Sequence, residues 1–245
     1  MNMEIFGPFI LSLVAGLSTM IGVLPIFIKI KNIDKFIVLF LSFSMSVLLY
    51  ISLFDLLLNS IPYIFGYFKN TVAFLISFII FILGYFTIYI INVKKDNSLY
   101  RVGVISMLSL MFHNLPEGMI VFMSNYVNTN FGIKLLLAII FHNMVEGITI
   151  AIPIYYSTNS KIKSIIYTLI ASLAEPFGAL ISYLFLKNIV NNIIISFILI
   201  FVSGLMISLS INEIYKEIKN YNLSNYSSFG YIIGIILLII INTTF

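Results

Sequence analysis

The chain has no cysteine and no tryptophan among its 245 residues, and only two histidines. Without cysteine there are no disulfides, thiolate metal sites, thioether-linked haem or cysteine nucleophiles. Charge is also scarce: Asp, Glu, Lys and Arg make up 9% of the sequence, against about 25% in a soluble domain. Hydrophobic residues make up 61%, and the mean hydropathy is +1.12. Thirteen basic and nine acidic side chains do not cover the surface of a 27.8 kDa globule, which excludes a cytosolic fold. Barrel strands alternate polar and apolar residues over about ten positions, whereas Ile232 to Ile241 is apolar on every face. Met1 to Glu4 carries no Lys or Arg. The first apolar run is therefore expected to remain as a span rather than to be removed as a signal peptide.

What is present is a series of long apolar runs. A hydrocarbon core about 30 Å thick needs roughly 20 helical residues. Cuts at charged and Asn/Ser/Pro-rich stretches predict eight spans: 5–28, 36–58, 71–93, 102–123, 133–156, 164–186, 192–212 and 229–245. The expected fold is an all-α polytopic membrane protein, a single transmembrane domain over residues 1–245. Lys and Arg favour cytoplasmic loops. Lys29, Lys31, Lys35, Lys94, Lys95, Arg101, Lys161, Lys163, Lys216 and Lys219 follow odd-numbered spans, and only Lys69, Lys134 and Lys187 lie on the other side. That asymmetry predicts both termini outside the cytoplasm.

An ionisable group at bilayer depth is costly and marks a functional site. Both histidines open the same phrase: His113-Asn114-Leu115-Pro116-Glu117-Gly118 and, 29 residues later, His142-Asn143-Met144-Val145-Glu146-Gly147. The phrases fall in the middle of spans four and five, with His and Glu at i and i+4 on one helical face. A third acid lies in span six, in Ala174-Glu175-Pro176-Phe177-Gly178-Ala179. Three carboxylates packed in a low dielectric repel one another unless a cation balances them, and imidazole with carboxylate suits borderline divalent ions such as Zn²⁺ and Fe²⁺. Pro116 and Pro176 each remove a helix hydrogen bond and free a carbonyl. Gly118, Gly147 and Gly178 permit close helix approach. Interhelical hydrogen-bonding glue is the plain alternative, but it does not explain two matched frames that hold every histidine. The serines of span two, Ser42, Ser44, Ser46 and Ser52, fit close packing. Asp55 near the outer end of span two, and its mirror Asn212-Glu213 at the inner end of span seven, fit either mouth carboxylates or interfacial residues.

These phrases resemble the ZIP metal-ion transporters, in their bacterial ZupT-type branch. Corroborating stretches cover the rest of the chain: Ala15 to Gly22 in span one, Ile51-Ser52-Leu53-Phe54-Asp55 in span two, Leu173-Ala174-Glu175 in span six and Ser203 to Glu213 in span seven. The resemblance implies eight spans with both termini outside, and an inverted repeat of spans 1–3 and 6–8 around spans 4–5. It also implies a two-site metal centre. His113, Glu117, His142 and Glu146 match the principal site. Asn114, Asn143 and Glu175 match an auxiliary site, with Glu117 and Glu146 as bridges. It further implies metal movement toward the cytoplasm by elevator-like motion, residence in a bacterial plasma membrane, and a homodimer. The divalent metal would be the transported substrate, with no cofactor and no nucleic-acid partner. Zn²⁺ is the first choice of ion; Fe²⁺, Mn²⁺, Co²⁺ and Cd²⁺ are alternatives. Three departures stand out: Val145 where the family has proline, Leu48 where relatives place methionine, and a short loop from Asn92 to Arg101 without histidine.

Other classes fit less well. His-Glu-x-x-His and Gly-x-Ser-x-Gly are both missing, which argues against intramembrane metallo- and serine proteases. A passive cation channel remains the alternative, since an acidic cluster at mid-membrane serves either a pore or a carrier.

Overall fold

The computed structural model describes residues 3–91, 98–127, 129–185 and 192–244, and every regular element among them is helical. Lipid offers no hydrogen bonds, so a spanning backbone must satisfy its own N–H and C=O groups. Helix α1 (Met3–Ser18) tightens into a 3-10 stretch (Thr19–Phe27). Helix α2 (Ile33–Tyr50) passes through a π-helical stretch (Ile51–Leu58) into α3 (Asn59–Tyr67). Then come α4 (Asn70–Ile90), α5 (Ser98–Val127) and α6 (Thr129–Thr158). A single turn residue, Leu173, separates α7 (Lys161–Ser172) from α8 (Ala174–Phe185). Helix α9 (Asn192–Ser208) leads through a second π-helical stretch (Leu209–Ile214) into α10 (Tyr215–Asn220), and α11 (Ser224–Thr244) follows.

Seven of these paths are long and apolar enough to cross a bilayer, and α11 adds a shorter apolar stretch, Ser224–Ile240. The second span extends beyond its expected end, to Tyr67, despite Asn59 and Pro62. Pro62 stands in the first turn of α3, just after the π register ends, where a missing N–H costs least. The seventh likewise runs on to Asn220. Helix α5 continues through Pro116, and α6 through Val145 without a break. The expected proline break is found only in span six. Asn92, Lys94, Lys95, Asn97 and Lys187 lie outside the described residues.

The loop ends that carry basic residues gather at one end of the bundle. Lys161 Nζ lies 4.6 Å above the Phe27 ring, Lys35 Nζ 4.8 Å above Tyr226, and Arg101 reaches Glu213. Side-chain caps support the same end: Asn32 Oδ1 accepts from the Lys35 amide and Ser160 Oγ from that of Lys163.

The helices pack in two groups. In the first, α5 and α6 lie together, α8 packs on α5, and the 3-10 stretch packs on α6. In the second, α4 packs on α9 and α2 on α11. Backbone-to-backbone approach decides the partners. A Cβ on Gly118 would overlap the Glu175 carbonyl, and one on Gly178 would overlap that of Leu115. Gly147 meets Thr19 in the same way, and the pair Gly84 and Gly204 joins α4 to α9. In lipid no hydrophobic effect draws helices together, and small residues that allow close contact take over that part. The groups meet where α2 packs on α6 and α5 on α9. Outward faces are apolar: Phe74, Phe78, Leu83 and Phe86 on α4, and Phe229, Ile232, Ile236 and Ile239 on α11, are exposed. Such a surface suits lipid. The chain is a multi-pass membrane protein.

Candidate metal centre

The i, i+4 spacing on two unbroken, adjacent helices brings the paired phrases face to face. From α5, Glu117 Oε1 lies 2.5 Å from His142 Nε2 on α6. His113 Nε2 lies 3.1 Å from Glu146 Oε1 across the same interface and 3.8 Å from Glu117 Oε2 on its own helix. The 3.1 Å approach is close enough for charge pairing but is not aligned as a hydrogen bond. One ligand atom each from His113, Glu117 and His142 lies within 4.8 Å of the others, and the two imidazole centroids are 6.2 Å apart. His113, Glu117 and Glu146 are buried, and His142 is half-buried.

Span six supplies the next layer. Pro176 has no N–H to offer the Ser172 carbonyl, and the helix breaks at Leu173 just before Glu175. The freed chain ends are held by the asparagines of the two phrases. Asn114 Nδ2 donates to the Ala171 carbonyl at 3.1 Å, at the end of α7. Asn143 Nδ2 donates to the Ala15 carbonyl at 3.0 Å, where α1 gives way to the 3-10 stretch, and to Glu175 Oε2 at 2.8 Å. Each phrase thus braces the break in a neighbouring span through its amide nitrogen and leaves its amide oxygen unused.

The structure brings His113, Glu117, His142 and Glu146 into one cluster and Asn143 and Glu175 into an adjoining pair, with Asn114 beside the break. Among the described residues, His113 Nδ1, Asn114 Oδ1, Glu117 Oε2, Asn143 Oδ1, both oxygens of Glu146 and Glu175 Oε1 are buried without a hydrogen-bond partner. A buried acceptor left unpaired costs about 1–3 kcal/mol, more when charged. So many lone pairs at one depth suit a cation. Nitrogen with carboxylate oxygen, and no sulfur among the clustered donors, suits zinc-like divalent ions.

The serines of span two bond to backbone carbonyls, Ser42 to Val38, Ser46 to Phe43 and Ser52 to Leu48, as packing predicts. Ser44 Oγ reaches the Val145 carbonyl at 3.4 Å and ties α2 to α6. Asp55 is exposed on the first π-helical stretch and interacts electrostatically with His142, Glu117 and His113. Sequence reasoning missed the bracing carbonyls of Ala15 and Ala171, which no side-chain motif reveals. It also missed the pairing of Arg101 with Glu213; that Arg101 is the sole arginine of the chain was the available signal.

The family model described as ZIP zinc transporter matches residues 92–242. A zinc transporter ZupT of Oceanobacillus iheyensis is 30% identical, over 94% of this chain and 94% of its own length. Proteins of the same name from Clostridium perfringens and Streptococcus mutans are each 29% identical, covering 94% and 97% of this chain and 93% and 97% of their own lengths. With the paired phrases face to face at mid-helix and these likenesses running nearly end to end, the chain belongs to the ZIP zinc transporter family, membrane transporters rather than enzymes, for which the metal is cargo and not a cofactor.

Proposed function

We propose that the protein imports divalent metal, Zn²⁺ first, across a bacterial plasma membrane toward the cytoplasm. The observation that carries this reading is the cluster itself: donor atoms of His113, Glu117 and His142 within 4.8 Å of one another, beside buried carboxylate oxygens that have no partner. The names of the three relatives support zinc as the ion. His113, Glu117, His142 and Glu146 serve as the principal site. Asn114, Asn143 and Glu175 serve as an auxiliary site that shares Glu117 and Glu146. Fe²⁺, Mn²⁺, Co²⁺ and Cd²⁺ compete, because oxygen and nitrogen donors discriminate weakly among them.

The whole chain acts as one transport domain, with both termini outside and the basic end in the cytoplasm. An inverted repeat of spans 1–3 and 6–8 is supported by three correspondences. Spans one and six are the ones interrupted, at Thr19 and Leu173. Spans two and seven carry the π-helical stretches. Span one packs on span five as six packs on four, and two on eight as three on seven. The two packing groups suit an elevator-like carrier, in which spans one, four, five and six move against the rest, within a homodimer.

Uptake of Zn²⁺ by purified protein in liposomes, with competing metals and an imposed pH gradient, tests the reading. Saturable, slow uptake supports the carrier. Uptake that rises linearly with metal and turns over at channel rates would mean a passive pore instead, and liposomes that take up no metal would remove the transport reading altogether.

A further inference from the structure

The two π-helical stretches begin with the same frame. Ile51-Ser52-Leu53-Phe54-Asp55 opens one and Leu209-Ser210-Ile211-Asn212-Glu213 the other, an apolar residue and a serine followed three positions later by an acid. π-Helical turns recur at functional sites. The two acids differ in circumstance. Asp55 is exposed. Glu213 is gripped: Arg101 Nε donates to its Oε2 and Arg101 Nη2 to its Oε1, both at 2.9 Å, with its side chain 10% exposed. A bidentate guanidinium–carboxylate pair is among the strongest polar contacts a protein makes.

The partners belong to different packing groups. Arg101 is on α5, 12 residues before His113, about 18 Å along the same rigid helix. Glu213 belongs to the span that Gly84 and Gly204 fasten to α4. The pair borders a cavity of 320 Å³ at the basic end, lined also by Asn212, Lys216 and Glu217. From there toward the metal cluster, Val102, Ser106, Ser109 and His113 follow one another on α5 at intervals of four, three and four, and all are buried. On the neighbouring span, Ser203, Ser210 and Glu213 recur at intervals of seven and three. Among the described residues, the hydroxyls of Ser106, Ser109, Ser203 and Ser210 are buried without a hydrogen-bond partner. Hydroxyls buried without a partner on two elements that pack together are costly while the contact stays dry, and a polar occupant would relieve them.

We propose that Arg101 and Glu213 form a latch that holds the α5–α9 seam, the basic-end mouth of the cation path, shut in this conformation. Resting on the transport reading for what passes through the seam, the latch acts in two ways. It pins the helix that carries His113 and Glu117 to the opposite group. It also keeps the Glu213 carboxylate engaged and its charge cancelled, so that it is not offered to a cation while the pair is intact. Movement of α5 against α9 removes Arg101 and leaves Glu213 as an unpaired carboxylate at the opened mouth.

The chain lacks cysteine, so a single Ser106→Cys change gives a clean reporter of nearly unchanged size. In the full-length purified protein, reaction of this thiol with neutral methyl methanethiosulfonate is slow while the seam is shut. Arg101→Gln and Glu213→Gln should each speed labelling about tenfold, equivalent to about 1.4 kcal/mol lost from the shut conformation. The exchanged pair, Arg101→Glu with Glu213→Arg, should return the rate toward that of the parent, which a merely structural arginine would not do. Parental rates in both single variants, or an exchanged pair that labels as fast as they do, would overturn the latch. Labelling needs no metal, so a parent protein that carries no zinc defeats the transport reading while this measurement still decides the latch.

Discussion

Glu117 approaches both imidazoles, His142 at 2.5 Å and His113 at 3.8 Å, and in the proposed centre it bridges the two ions. Replacing it by glutamine removes a shared anionic oxygen and the charge that offsets the cation. Glu117→Gln should therefore abolish zinc uptake at every concentration, with the protein still in the membrane at parental levels. Glu175 lies one layer out, bonded to Asn143, among neutral amides that hold Zn²⁺ less well than imidazole. Glu175→Gln should keep measurable uptake, with a greater loss at limiting than at saturating zinc. Titration of the purified protein should show two unequal binding steps, of which Glu175→Gln removes only the weaker. Normal uptake by Glu117→Gln would sink the centre, and loss of the tighter step in Glu175→Gln would mean that Glu175 serves the other ion. That the paired His and Glu side chains and Glu175 would draw together was legible in the sequence, because the two frames recur in register and an ionisable group at bilayer depth is too costly to persist without a function. The second task of Asn114 and Asn143, bracing the helix breaks, was not legible, since its acceptors are main-chain carbonyls.

At the scale of elements, the centre depends on how closely α8 and the 3-10 stretch approach the two central helices. Gly118 and Gly178 touch opposing carbonyls at the α5–α8 crossing, those of Glu175 and Leu115. A methyl group at Gly118 would force the two helices apart, at about 1–3 kcal/mol for an overpacked contact. Gly118→Ala should lower the melting temperature in detergent and weaken zinc binding together. Gly66→Ala, where nothing lies within 4 Å of the added carbon, should lower neither, since alanine favours the helix there. An unchanged melting temperature for Gly118→Ala would show that the crossing has room to spare. The glycines were visible in the sequence as permissive positions. Their partners, the carbonyls of Glu175, Leu115 and Thr19, became visible only once the helices were set side by side. Pro176 announced the break in span six, whereas apolar periodicity gave no sign of the 3-10 stretch after Ser18 or of the π-helical stretches. Pro116 gave the opposite lesson: the helix runs on through it.

At the scale of the whole molecule, scarcity of charge is what made the architecture readable. With so few ionisable residues, the basic ones marked the loops at one end, and the four acids inside the expected spans, Asp55, Glu117, Glu146 and Glu175, stood out. The same scarcity governs the response to pH. In the proposed centre, uptake draws on two imidazoles and three carboxylates at bilayer depth, and a ligand must shed its proton before it binds metal. Acid outside therefore competes with the cation for the same lone pairs: more protons mean fewer free ligands and less metal bound at a given concentration. Zinc uptake at sub-saturating metal should fall steadily as external pH drops from about 7 to about 5, the range in which histidine takes up its proton. Raising the zinc concentration should recover most of the lost rate, because competition shifts the half-saturating concentration more than the maximum. An inward proton gradient that drove transport would do the reverse and speed uptake in acid. The comparison is measured in liposomes with internal pH held fixed and zinc varied at each external pH. A rate that stays flat at limiting zinc would show that His113 and His142 do not hold the transported ion.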